Sequence, residues 1–91
     1  MRVLWARAAR NDRRRITAWL AEHNLPAAVR IAQALSDAAD GLAVLPYKGR
    51  PGRAPDTREL SAVPSYVMVY EVDDDAQVIQ ILRVLHAAQD R

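Results

Sequence analysis

The sequence predicts an α+β fold in the order β-α-α-β-β-β, with a helical hairpin packed on a mainly antiparallel sheet. Three observations lead there. Tyr66 to Val72 and Val78 to Leu85 are rich in β-branched and aromatic residues and are joined through Asp73-Asp74-Asp75, which favours a reversal over a continuing strand. Between Ala6 and Leu45 apolar residues recur at spacings of three and four, with one break at Asn24-Leu25-Pro26. Residues 46–57 then hold three prolines and two glycines, which separates the helical part of the chain from the strands that follow.

Ninety-one residues allow one small domain with a modest core, expected to span residues 1–91. Apolar residues make up 51% and charged residues 26%, without a low-complexity tract, a composition that buries a core instead of staying disordered. The absence of cysteine excludes disulfides, thiolate metal sites and a cysteine nucleophile. His23 and His86 alone make no zinc site, so neither metal nor cofactor is expected. The longest apolar runs fall far short of a membrane span, and the first ten residues lack the apolar stretch of a secretory signal. The expected location is cytoplasmic, with no membrane partner.

The net charge of +2 conceals an uneven distribution. Residues 1–30 carry seven arginines against Asp12 and Glu22, and residues 48–58 carry Lys48, Arg50, Arg53 and Arg58 against Asp56. The acids gather in the second helix and between Glu71 and Asp75. A basic side of this kind implies an anionic partner, either nucleic acid or an acidic protein segment.

Taken in order, Val3-Leu4-Trp5 is a short apolar run between arginines and reads as an edge or near-edge strand. From Ala6 to about His23 the residues favour a helix, with Ile16, Trp19 and Leu20 as its buried stripe and Arg10, Arg13 and Arg14 on the other side. An arginine run without interleaved aromatics or glycines is more often a solvated helix face than a phosphate site. Pro26 suits the first turn of the next helix, and the short connection makes the two helices antiparallel. In that second helix Ala28, Ile31, Leu35, Ala38, Leu42 and Leu45 form one apolar seam, and Ala27, Ala34 and Gly41 a second stripe of small residues.

Residues 46–57 read as an exposed loop with neither helix nor strand, its cations set beside glycines that let backbone N–H groups approach an anion. The spacing is not that of a P-loop. Thr57-Arg58-Glu59-Leu60 resumes as a strand, and Val63-Pro64-Ser65 turns the chain into the hairpin. Strict alternation in the last strand puts Val78, Gln80, Leu82, Val84 and His86 on one face, and Ile79, Ile81, Arg83 and Leu85 on the other.

The succession Gly49-Arg50-Pro51-Gly52-Arg53, Thr57-Arg58-Glu59-Leu60, Tyr66-Val67-Met68-Val69-Tyr70 and Ile81-Leu82-Arg83-Val84-Leu85-His86-Ala87-Ala88-Gln89-Asp90 resembles the ParE branch of the RelE/ParE superfamily, over the whole chain. The resemblance implies the toxin of a type II toxin–antitoxin system, of the kind associated with plasmid stabilisation. It implies a cytoplasmic bacterial protein in a hetero-oligomer with a cognate ParD-like antitoxin. ParE-type members act on DNA gyrase without a reaction of their own, whereas RelE-type members share the fold and cleave messenger RNA on the ribosome.

Chemistry weighs these two readings. Attack of a ribose 2′-OH needs a base, a cation for the phosphorane and an acid for the leaving oxygen. Arg53, Arg58 and Arg83 supply charge and His86 a proton carrier, an incomplete set; if the chain is a nuclease, Arg58, Arg83 and His86 are its catalytic residues, and Glu59 the further candidate. RelE-type nucleases generally add loop lysines and a Tyr, or another general acid or base, near the C-terminus. Here Lys48 is alone, no aromatic follows Tyr70, and only Tyr47, Tyr66 and Tyr70 are candidate base-stacking platforms.

The gyrase-directed reading is therefore preferred, with no catalytic residue and with Arg50, Arg53, Arg58, Arg83 and His86 as target contacts. Taken without the family, His86 more often caps backbone at a strand end than catalyses. Trp5 and Trp19 read as core or interface anchors. An antitoxin helix and strand are expected to wrap the helical hairpin and sheet, its acids meeting the loop 48–58 and a surface made by Trp5, Arg10, Arg14, Ile16, Trp19 and Leu20. A third reading is a small nucleic-acid-binding or adaptor domain without toxicity, whose binding falls steeply with salt.

Overall fold

The computed structural model describes residues 1–63 and 65–87. The expected turn residue Pro64 and the ending Ala88-Gln89-Asp90-Arg91 lie outside the described residues. Two helices pack on a five-stranded mixed sheet: β1 (Arg2–Trp5), α1 (Arg7–His23), α2 (Leu25–Val44), β2 (Arg50–Pro51), β3 (Arg58–Val63), β4 (Tyr66–Asp73) and β5 (Val78–His86). The strand order is β1-β5-β4-β3-β2, antiparallel throughout except that β1 runs parallel to β5. No helix among the described residues is long and apolar enough to cross a membrane.

The helical hairpin forms as its sequence dictates. Asn24 closes α1 by donating its N–H to the Leu20 carbonyl and opens α2 by accepting Ala27 N–H on its side chain, while Pro26 occupies the first turn, where no donor is needed. Leu35, Ala39 and Leu42 of α2 press onto Met68, Tyr70, Ile79, Ile81 and Val84 of the sheet. The seam departs from expectation at its end, where Leu45 is largely exposed past the last helical turn. In the second stripe, a side chain at Gly41 would meet nothing within 4 Å, so no helix approaches there.

Three further expectations fail for physical reasons. Trp19, placed in the buried stripe of α1, is 61% exposed, because α1 runs on past the apolar floor; Ala9 and Asp12 are the residues of α1 that are buried. Arg13, placed on the outer side, reaches inward to hydrogen-bond Ser36 of α2 and lies 4.7 Å from the centroid of the Trp5 ring. Arg50–Pro51, expected to be loop, forms the edge strand β2 against Arg58 and Glu59 of β3. An edge tolerates proline, which has no N–H to give to a ladder.

The last strand departs from strict alternation. Val69 stands opposite Arg83 but Tyr70 opposite Ile81, so Leu82 is an extra residue on β5. This β-bulge reverses the phase, and Val84 joins Ile79 and Ile81 on the helix side instead of Val78 and Gln80. A one-residue slip moves every later side chain to the other face.

Candidate functional site

Two places in the fold collect the polar residues singled out by the sequence. The first is the basic loop between α2 and β3. Its shape is set from below by Tyr70, fully buried, whose hydroxyl donates to the Pro46 carbonyl at 2.8 Å and accepts Gly49 N–H at 2.9 Å. Gly49 is packed so closely that a Cβ there would lie 2.7 Å from that hydroxyl and 2.8 Å from the Glu59 carbonyl. Glycine is required by contact here, not by backbone angle. Gly52 N–H and the Thr57 carbonyl bond at 2.8 Å, closing the tip of the loop.

On this frame Arg58 crosses the Tyr47 ring at 5.2 Å and donates through Nε to the Gly49 carbonyl at 3.0 Å. Buried Glu59 accepts Arg53 N–H at 3.1 Å and lies 3.6 Å from Arg50. Tyr47 is hydrogen-bonded to Asp74 at the β4–β5 turn, an interaction that raises the phenol above its usual range. Arg50, Arg53 and Arg58 therefore share one end of the sheet, anchored by backbone and by Glu59.

The second place is an open cleft of about 530 Å³ between α1 and the far end of β5. It exists because β1 stops early: β1 covers only Val78 to Ile81, leaving Leu82 to His86 with no strand on the outer edge among the described residues. α1 takes over that edge. Asp12, 3% exposed, accepts Val84 N–H at 2.9 Å and Arg83 through Nε at 2.7 Å and Nη2 at 3.1 Å, and Arg15 adds a bond at 2.7 Å. An edge N–H buried without a partner costs free energy, and a carboxylate facing three donors removes that cost. Burial alone would raise the Asp12 carboxyl; the Arg83 and Val84 hydrogen bonds, the Arg83 charge and the Arg15 hydrogen bond outweigh it and hold the carboxyl below its usual range.

The cleft beyond this cluster is lined by Ile16 and Trp19 of α1, Tyr66 of β4, and Leu85 and His86 of β5. Trp19 stacks on His23 with centroids 4.2 Å apart, and His86 meets Tyr66 edge-on at 5.4 Å. The structure thus brings Arg83 and His86 beside Ile16 and Trp19, although the sequence reading had assigned the two pairs to different partners. Trp5 and Arg10 lie at the other end of α1, where Arg10 donates to the Trp5 carbonyl at 2.6 Å; Arg14 is exposed between them and Trp19, and Leu20 is half-buried.

Of the residues named for RNA cleavage, Arg83 and His86 line one cleft, but Arg58 does not join them. Arg58 stands opposite Tyr70, whereas His86 stands opposite Tyr66 and two strands away. That separation is about 13 Å along the strands and about 10 Å across them. Glu59 is committed to the loop. The sequence reading missed the roles of Asp12, Arg15 and Tyr70; a carboxylate at a buried spacing amid the arginines of α1 was the available signal.

A family profile described as the ParE toxin of type II toxin–antitoxin system, parDE, matches residues 3–91. The toxin RelE2 of Caulobacter vibrioides is 39% identical over 87 residues, covering 96% of both chains. A structure of a chromosomal ParDE system from P. aeruginosa superposes with a TM-score of 0.81 at 24% identity, over 94% of this chain and 95% of that one. The RelBE2 toxin–antitoxin complex from Mycobacterium tuberculosis gives a TM-score of 0.69 at 29% identity, over 93% of this chain and 95% of that one.

Proposed function

The chain belongs to the ParE toxin family of type II toxin–antitoxin systems, and from that premise we propose that it disables DNA gyrase by binding, without a reaction of its own, and is neutralised by a cognate ParD-like antitoxin. It acts as one toxin domain, in the cytoplasm, where gyrase and DNA are. The observation that carries the gyrase reading over RNA cleavage is the separation of Arg58 from His86. Proton transfer needs a group within hydrogen-bond reach of the reacting atom; Arg83 lies beside His86 at the cleft, but a separation on this scale leaves Arg58, the other cation of that set, apart from His86.

Target contacts are assigned to Arg50, Arg53 and Arg58 on the rigid basic loop, and to Arg83 and His86 at the cleft. The antitoxin surface is assigned to Trp5 at the end of β1 and to Arg10, Arg14, Ile16, Trp19 and Leu20 of α1. Trp19 supports this assignment, being a large apolar side chain left 61% exposed beside arginines, the composition of an interface anchor.

The relative named RelE2 keeps messenger cleavage as the second reading. One experiment separates them: supercoiling by purified gyrase and messenger integrity in a translation reaction, measured with the same preparation. Lost supercoiling with accumulation of cleaved DNA and intact messenger is expected. Cut messenger with unaffected gyrase would overturn the reading and return Arg58, Arg83 and His86 to catalytic candidacy.

A further inference from the structure

We propose that Asp74 and Tyr47 are positioning residues for Arg58: the acidic turn between β4 and β5 fixes the Tyr47 ring, and the ring holds the Arg58 guanidinium in the place from which it meets the target. That Arg58 touches the target belongs to the functional reading above, and only this last step rests on it.

The run Asp73-Asp74-Asp75 has no part in the assignments made so far, and its placement works against them at first sight. Arg58 stands opposite Tyr70 on β4, three residues before Asp73, so the basic end of the sheet and the acidic turn adjoin. A carboxylate there weakens the field that draws an anionic partner. Asp74 is nonetheless built in. Asp73 Oδ1 accepts Ala76 N–H at 3.0 Å, Gln77 Nε2 donates to the Asp74 carbonyl at 2.7 Å, and Gln77 takes a φ of 56°, a left-handed value uncommon outside glycine. The turn so formed brings the Asp74 carboxylate to the Tyr47 hydroxyl, which donates to it.

The core does not orient the Tyr47 ring, which is 50% exposed. The backbone around it is held: the Pro46 carbonyl and Gly49 N–H both meet the Tyr70 hydroxyl, and Lys48 N–H donates to the Leu45 carbonyl at 3.1 Å. The bond to Asp74 then sets the angle of the ring. Arg58 lies 5.2 Å from the ring centroid, donates through Nε to the Gly49 carbonyl at 3.0 Å and has Nη2 3.5 Å from the Tyr47 carbonyl. A cation is attracted to the face of an aromatic ring and not to its edge, so Arg58 stays in place only while the ring keeps its angle. An arginine loses much rotamer freedom on binding, and one already held has less to lose.

Position and charge make opposite predictions for Asp74. As a bare charge it repels an anionic partner, and its removal strengthens binding; as a support, its removal weakens binding. The test measures the concentration of chain that halves supercoiling by purified gyrase and, by NMR on the isotope-labelled chain, the exchange of Arg58 Nε–H with solvent. Asp74→Ala and Tyr47→Phe are each expected to raise that concentration about threefold to tenfold and to speed the exchange about fivefold or more. The double substitution should be no worse than either alone. Asp74→Asn, which keeps an acceptor oxygen and loses the charge, should restore inhibition. Asp75→Ala, which removes the same charge one residue on and leaves the Tyr47 bond in place, should not weaken it. All four single substitutions lie on exposed side chains and should keep Tm within about 4 °C, so unfolding does not account for a change in inhibition.

Stronger inhibition by Asp74→Ala, additive effects of the two single substitutions, or unchanged Nε–H exchange would each overturn the proposal. A chain that leaves gyrase unaffected contradicts the functional reading instead, and the exchange measurement then decides the support of Arg58 by itself.

Discussion

Asp12 and Arg83 meet across 71 residues of chain in a two-point ion pair, and the same carboxylate closes the edge of β5 by accepting Val84 N–H. The pair joins the first helix to the last strand where β1 no longer covers the sheet. Asp12→Asn keeps the shape and removes the charge, and is expected to cost about 1–3 kcal/mol in chemical denaturation, part of it softened because Arg83 reaches water.

The cost should depend on pH in a definite direction. The native carboxyl holds its proton less tightly than the unfolded one, so its contribution is complete above about pH 4 and is lost as pH falls through the lowered native value. The stability gap between the native chain and Asp12→Asn should therefore be widest near about pH 6 and close on acidification. A gap that stays constant down to about pH 2 would contradict this account of the pair.

Tyr70→Phe tests the support of the basic loop. It deletes the bond to the Pro46 carbonyl and leaves buried Gly49 N–H without its acceptor. A loss of about 1–3 kcal/mol is expected, with faster amide exchange at Gly49 than in the native chain. Unchanged stability and exchange would mean that the hydroxyl does not hold the loop.

Gly49→Ala adds one methyl into contact with a buried phenol oxygen and a backbone carbonyl, neither of which can retreat freely. It should destabilise by about 1–3 kcal/mol and weaken target binding through displacement of Arg50 and Arg58. Gly41→Ala is the control: a methyl there meets nothing, and a helix interior prefers alanine by roughly 0.5–1 kcal/mol, so the melting temperature should rise.

Much of the fold could be read from local pattern. Ala28, Leu35 and Leu42 mark the buried face of α2 by their spacing, and Asn24 with Pro26 marks the helix boundary chemically. The bulge at Leu82 could not be read, because Val78 to Leu85 is apolar at nearly every position and no regular polar residue reveals the phase. The exposure of Trp19 was hidden for a related reason: periodicity shows which way a helix faces, not where the floor beneath it ends. The strand β2 depends on a partner seven to nine residues on, Arg58 with Pro51 and Glu59 with Arg50 in register, which composition alone does not convey.

The site was half visible. The cations Arg50, Arg53 and Arg58 announced themselves by clustering in sequence, and they do share one end of the sheet. The cleft did not, since Asp12, Tyr66 and Arg83 come from three distant elements and meet only once α1 crosses the open edge of β5.

Trp19→Ala separates folding from recognition. An exposed side chain outside the core should leave stability within about 0.5 kcal/mol, while its loss from the centre of an antitoxin interface should weaken that complex about tenfold or more. Calorimetric titration with the cognate antitoxin measures the second quantity; an unchanged affinity would remove Trp19 and its neighbours from the antitoxin surface.

The most direct measurement is a titration of purified gyrase with this chain, following supercoiling and, in parallel, messenger integrity on translating ribosomes. A binding toxin without turnover predicts that supercoiling stops at a fixed ratio of chain to gyrase while messenger stays whole. Messenger cut by amounts of chain far below the ribosome count, with supercoiling unaffected, would show turnover and contradict the account.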